Sequence, residues 1–159
     1  MKKLLVLFTM LLFLVACSNT PAVGEAFDGT VNDYDGVTMT VVEGTAHSGT
    51  VTVEILNSTD TEINSGNEVD FGLQIEQDGK WYWLERKEKE YANTAEALIY
   101  EKNEPRELTV TWGNIYGSLE PGHYRVTKWF FEFSESGVGQ EFLLASEFTL
   151  DYPKIITGK

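Results

Sequence analysis

Cysteine is nearly missing from this sequence, which has one among 159 residues. A lone cysteine closes no internal disulfide, so a disulfide-stapled scaffold is excluded. Histidine is also scarce, and His47 and His123 with the single Cys17 cannot supply the common Cys/His zinc arrangements. Basic charge is short as well: 12 Lys and Arg stand against 25 Asp and Glu, for a formal net charge of −13. A nucleic-acid partner is thereby excluded, because phosphates are held by Lys and Arg. No internal repeat or low-complexity tract occurs, and no second apolar run of spanning length follows the opening one. What is plentiful is apolar and aromatic surface, at 42% and 13% of residues. Such surface offsets the entropy of ordering, and the length suffices for one packed domain, not two.

The opening MKKLLVLFTMLLFLVAC places Lys2 and Lys3 before an apolar stretch from Leu4 to Val15. Charge followed by a short apolar run is the layout of a secretory signal, too short for a transmembrane helix. Its end, Leu14-Val15-Ala16-Cys17, resembles a bacterial lipobox. That resemblance implies cleavage after residue 16 and a diacylglyceryl group on the Cys17 sulfur, so residues 1–16 are expected to be a lipoprotein signal peptide. The expected location is the extracytoplasmic face of the cell membrane, held by lipid, each buried methylene adding about 0.8 kcal/mol. Removing residues 1–16 leaves 10 basic against 25 acidic side chains, a net of −15. The membrane is therefore a partner through the anchor, not through charge. Residues 17–35 lack a sustained period and are rich in Gly, Asp, Asn and Thr. They read as the lipidated cysteine and a flexible tether, with an r.m.s. span on the order of 25 Å.

From residue 36 to residue 152 apolar side chains return at every second position, as in half-buried strands. Val51, Val53 and Ile55 alternate with Thr52 and Glu54; Phe71, Leu73 and Ile75 alternate with Gly72, Gln74 and Glu76. Asp78-Gly79 then separates that run from KWYWL, a strong hairpin signal because the tight turn needs positive φ. Leu108, Val110 and Trp112 make a further set, Tyr124 and Val126 lead into WFFEF, and Glu147 to Leu150 follow Phe142. About seven such strands with turns between them predict an all-β antiparallel sandwich. The stretch NSTDTEINSG reads as turn. Around residues 88–100, Tyr91, Ala95, Leu98 and Ile99 recur at helical spacing, and Asn93 to Glu96 could form a capping box. We read a turn followed by a strand at 97–101, with a short helix as the alternative. Residues 153–159 read as a fraying tail.

The most distinctive stretch runs from Trp112 through Tyr116-Gly117, Leu119, Pro121-Gly122 and Tyr124-Arg125. It resembles the W…YG-x-L-x-P-G-x-Y-R signature of a bacterial immunoglobulin-like domain found in lipoproteins and other surface proteins of Gram-positive bacteria. Gly36 to Met39, Asn57-Ser58-Thr59 and Asp78 to Trp81 are similar to that family's first strand, a strand-ending turn and a hairpin. The resemblance covers roughly residues 36–150 and implies an immunoglobulin-like sandwich in a cell-surface setting, with no shared catalytic motif and no cofactor. Leu119, Pro121, Gly122 and Tyr124 have the spacing of a tyrosine corner, in which the Tyr hydroxyl satisfies backbone a few residues upstream. Asn103-Glu104-Pro105-Arg106 stands where the family more often has Pro-Gly, and the paired cysteines of antibody domains are absent.

Catalysis has little to work with. A nucleophilic triad needs a base beside its Ser or Cys, and adjacency of His47 and Ser48 in sequence is no such geometry. Exposed loop histidines are the simpler reading of both His47 and His123. Twenty-five acids always offer carboxylate pairs, so abundance carries no specificity. Asp28, Asn32, Asp33 and Asp35 before Gly36 suggest part of a calcium loop, but Val31 interrupts the pattern and no Glu closes it, so no metal site is expected. The Glu85 to Glu90 run is most simply a solvated loop. Aromatics are the better lead: Trp81-Tyr82-Trp83 and Trp129-Phe130-Phe131 put rings at adjacent positions, so alternation sends at least one ring of each group outward. Trp81, Trp83, Trp129 and Phe131 are the candidate binding face for an envelope protein or glycan, unless another element, such as 88–100, covers them. The expected function is a non-enzymatic, lipid-anchored binding module. A structural spacer or accessory subunit is the alternative, and an envelope hydrolase or hydrolase inhibitor stands last.

Overall fold

The computed structural model describes residues 20–87, 96–134 and 137–151. Cys17, the signal segment, the helical-spacing residues 91–95 and the tail 153–159 lie outside the described residues. Among the described residues there is no helix. The described residues form an antiparallel sandwich of ten strands: β1 (Val23–Ala26), β2 (Val37–Val41), β3 (Thr50–Asn57), β4 (Glu62–Ser65), β5 (Gly72–Gln77), β6 (Lys80–Leu84), β7 (Leu98–Tyr100), β8 (Arg106–Thr111), β9 (Gly122–Ser134) and β10 (Gly137–Leu150).

The small sheet has the order β2-β3-β8. Its alternating residues bury Val37, Met39, Val51, Val53, Ile55, Leu108 and Val110. The large sheet is organised by β9, which pairs with β10 over nearly its whole length on one side. On its other side β9 meets two strands in succession: β5 along residues 124–127 and β4 along residues 130–133. β6 and then β1 extend the sheet beyond β5, and β7 extends it beyond β4. Inward side chains Leu73, Tyr124, Val126, Phe130, Phe142, Leu144 and Phe148 close the core against the small sheet. Trp112, fully buried, stacks on Phe148, and its indole N–H donates to Ser48 O at 2.9 Å. Asp78 and Gly79 both take positive φ, 52° and 75°, in the predicted β5–β6 turn.

The strand at residues 98–100 falls where the reading of 97–101 placed it. Two elements differ from expectation. Residues 62–65, read as turn, form β4, whose buried positions include Asn64 and Ser65 and so carry no apolar alternation. Asn57 organises the turn before it, donating to Thr61 O and Tyr100 O while its own oxygen accepts from the Thr59 N–H.

The tether reading of residues 17–35 does not hold for the described part. Val23–Ala26 pairs with β6, and the Phe27 N–H adds a bond to Trp81 O at 2.8 Å. Five residues later Asn32 reaches the far edge of the sheet: its N–H donates to Leu143 O, and its side-chain amide both donates to Ala145 O and accepts from Ala145 N–H. Tyr34 then stacks on Phe142, centroids 3.9 Å apart, and donates to Glu132. A segment with no periodicity is thus fixed by backbone pairing at one end and a side-chain amide acting as a strand at the other. It is a strap over the outer face of the large sheet.

Candidate functional site

Strand alternation puts His123, Arg125, Thr127, Trp129, Phe131 and Phe133 of β9 on the outer face. Register adds Gln74, Trp81 and Trp83 from β5 and β6 and Leu143 and Ala145 from β10. Most of this face is dry. Gln74 and Thr127 are fully buried, and Leu143, Ala145 and Arg125 nearly so, because the strap lies on them. The Phe27 ring meets Trp83 edge-on at 5.5 Å and covers the Arg125 guanidinium at 4.9 Å. Trp81 packs against that guanidinium at 4.3 Å. Arg125 is thus held between two aromatic rings, while its Nε donates to Gln74 Oε1. Burial lowers its pKa, with the Glu147 carboxylate acting in the opposite direction. Gly29 folds onto the end of the Phe27 ring so closely that an added Cβ would come within 2.8 Å of it.

Trp81 and Trp83 are therefore half-buried, and the element covering them is the N-terminal strap. His123 is half-buried on this face too, with Nε2 3.2 Å from Glu147 and Nδ1 3.6 Å from Glu76. Beyond the strap the cover ends. Trp129 is 54% exposed and Phe133 46%, with Phe131 half-buried between them. Val138, paired across from Phe133, is 61% exposed. The four form a contiguous apolar ridge at the β9–β10 end of the face. Phe133 and Val138 carry no sequence signal beyond the period that Trp129 begins, and their exposure follows from where the strap stops.

A cavity of about 320 Å³ opens beside this ridge. Its cause is a break in the sheet: between the pairs Ser65–Phe130 and Gly72–Thr127, residues 66–71 stand opposite only Lys128 and Trp129. The extra residues loop away, and two cations hold the loop. Lys128 Nζ donates to Asn67 O and Asp70 O at 2.7 and 2.8 Å, and Arg86 donates to Val69 O at 2.9 Å. The Arg86 guanidinium also lies over the Phe71 and Tyr116 rings. Burial pushes the Lys128 pKa down to about 8, partly countered by the Asp70 and Glu68 carboxylates. At the mouth, Trp83 lies across Gly72 toward Thr127; a Cβ on Gly72 would come within 2.6 Å of both. Trp83 and Trp129 thus flank the opening.

The corner entering β9 is built by Leu119, Pro121, Gly122 and Tyr124. Leu119 is buried, the Tyr124 hydroxyl donates to Glu120 O at 2.8 Å, and Gly122 leaves room for the Tyr124 ring, which a Cβ would approach to 3.0 Å. The proposed calcium-like residues are otherwise engaged: Asn32 spends its amide on Ala145, and Asp33 accepts from Thr30. Among the described residues no group of three His, Cys, Asp or Glu side chains is placed to hold a metal ion.

No curated protein matches the chain. A family model described as a bacterial Ig-like domain matches residues 33–149, from the end of the strap to the last residues of β10. With the two-sheet architecture and the corner at Tyr124, that match shows that the chain belongs to the bacterial Ig-like domain family.

Proposed function

We propose that this protein is a lipid-anchored extracytoplasmic binding module whose Ig-like domain contacts a component of the cell envelope through the ridge of Trp129, Phe131 and Phe133. As a bacterial Ig-like domain it is an interaction or structural domain, and the observation that favours interaction is the selective cover of its outer face. The strap buries Arg125, Thr127, Leu143 and Ala145 yet leaves Trp129, Phe133 and Val138 in water. Contiguous exposed aromatics cost solubility and mark contact sites. Lipidation at Cys17 rests on the lipobox resemblance of residues 14–17. Because Thr20 lies three residues beyond Cys17, the anchor would reach at most about 10 Å when extended. The domain would sit close to the membrane surface, not at the end of a long tether.

The test has two arms. Palmitate labelling of cells expressing the full chain should mark the protein, and Cys17→Ser should abolish the label and release the domain from membranes. Chemical cross-linking on the same cells should capture a recurrent envelope component with the native chain and not with Trp129→Ala/Phe133→Ala. Equal capture by both, with the variant folded, would move the reading to a spacer or accessory subunit.

A further inference from the structure

We infer that the Trp129–Phe133 ridge receives a basic segment of a protein, an extended chain whose Lys or Arg stems lie on the rings and whose charged heads reach Glu62 and Glu141. This rests on the binding-module reading above and names the chemistry of the partner. Register fixes the charges. Glu62 of β4 stands directly opposite Phe133, and Glu141 of β10 stands directly opposite Phe131. Directly paired residues share a face of the sheet, so a carboxylate flanks the aromatic row on each side. Both glutamates are exposed. Asn64, buried and paired with Phe131, donates its amide to Glu62 Oε1 at 2.9 Å and so holds that carboxylate beside the rings. Among the described residues neither glutamate has a cationic partner. The cations nearby are turned elsewhere: Arg125 is buried beneath the strap, Lys128 and Arg86 hold loop carbonyls, and Arg106 lies over the buried Tyr100 ring on the core side of β7.

Rings and carboxylates together select the partner. An aromatic face attracts a cation, and a long Lys or Arg stem packs on a ring while its head reaches past it. The same outer face already holds one guanidinium in this manner, Arg125 between Phe27 and Trp81. The formal net charge of −13 adds attraction for a basic partner at a distance. A second copy of this chain fits poorly, since it would bring Glu62 and Glu141 against their own kind, and an anionic polymer meets the same repulsion. Spacing makes the partner a segment. A strand separation of about 4.8 Å and a rise of about 3.4 Å per residue put the Cα atoms of Glu62 and Glu141 about 12 Å apart, too far for one cationic head and close to the roughly 14 Å between residues i and i+4 of an extended chain.

The experiment titrates residues 18–159, which include every described residue, with octapeptides of alternating Arg and Thr, Gln and Thr, or Glu and Thr, and with argininamide. Backbone amide and indole N–H resonances are followed by NMR. The expected result is saturable shifts at Trp129, Phe133 and Glu141 with the Arg peptide, weakened by added salt. Affinity should fall about threefold in Glu62→Gln or Glu141→Gln and about tenfold in the double variant. It should also fall about tenfold in Trp129→Ala/Phe133→Ala. Glu107→Gln, which removes the same charge from the exposed face of the small sheet, should leave it unchanged. No saturable shift with the Arg peptide, equal affinity for the Gln peptide, argininamide binding as tightly as the peptide, or an equal loss in Glu107→Gln would each overturn the inference. So would dimerisation of the free chain that Phe133→Ala abolishes, because a second copy would then occupy the ridge. The binding-module reading fails separately: if envelope capture still depends on Trp129 and Phe133 while the Arg peptide does not bind, the module stands and the basic partner falls.

Discussion

Asn32 and Ala145, 113 residues apart, are joined by two hydrogen bonds, Asn32 Nδ2 to Ala145 O at 3.0 Å and Ala145 N to Asn32 Oδ1 at 2.9 Å. A side-chain amide here takes the place of a neighbouring strand on the open edge of β10. It fixes the end of the strap, and with Phe27 it decides which part of the outer face stays dry.

Asn32→Ala removes both bonds at once. Each such bond contributes about 1 kcal/mol, so the variant should lose about 2 kcal/mol in urea denaturation. Amide exchange at Ala145 should accelerate more than exchange in the small sheet. Uniform acceleration would mean that the strap is not held locally by this pair.

Phe27→Ala uncovers Arg125 and Trp83. A half-buried ring with a cation–π partner should cost about 2 kcal/mol. Tryptophan fluorescence should shift to the red in the native state as Trp81 and Trp83 meet water. An unshifted spectrum would contradict the cover assigned to the strap.

Tyr124→Phe deletes the hydroxyl that satisfies Glu120 O. The expected loss is about 1 kcal/mol, read by calorimetry as a Tm lowered by about 4 °C. A larger fall would indicate that the hydroxyl does more than serve this carbonyl.

Lys128 gives a pH signature. Its folded-state pKa of about 8 lies below the ordinary lysine value of 10.5 that the unfolded chain keeps, so from pH 8 upward the unfolded chain holds a proton that the folded chain has released. Stability therefore gains from this group as pH rises through that window. The tyrosines act oppositely. Tyr34, pushed up to about 12, and Tyr100, Tyr116 and Tyr124, also raised, contribute stability that is full below pH 10 and lost above it. In urea denaturations from pH 7 to 10, the native chain should gain stability relative to Lys128→Met. A constant difference across that range would contradict the assigned burial.

Much of the fold is legible in the sequence because it is carried by local period. Val51, Val53 and Ile55 point inward as their alternation requires, and Asp78-Gly79 makes its turn. β4 is not legible because its buried residues include Asn64 and Ser65, held by pairing to β9 and, for Ser65, by contact with the Tyr100 hydroxyl. The first half of β10, GVGQE, is exposed and apolar-poor, so it too lacks a pattern. The strap is invisible for another reason: its contacts are to residues more than 50 positions away, and nothing in a window around Phe27 or Asn32 encodes them. The candidate face was consequently half legible. The aromatic positions were readable, whereas which rings stay exposed depends on a non-local cover.

The most direct measurement places a photo-activated cross-linking residue at Phe133 and, in a separate chain, at Val23, both exposed apolar positions of the large sheet. Irradiated intact cells should yield a recurrent envelope adduct from position 133 and none from position 23. Equal adducts from both positions, or none from 133 with folded protein at the surface, would contradict the assignment of the Trp129–Phe133 ridge as the binding face.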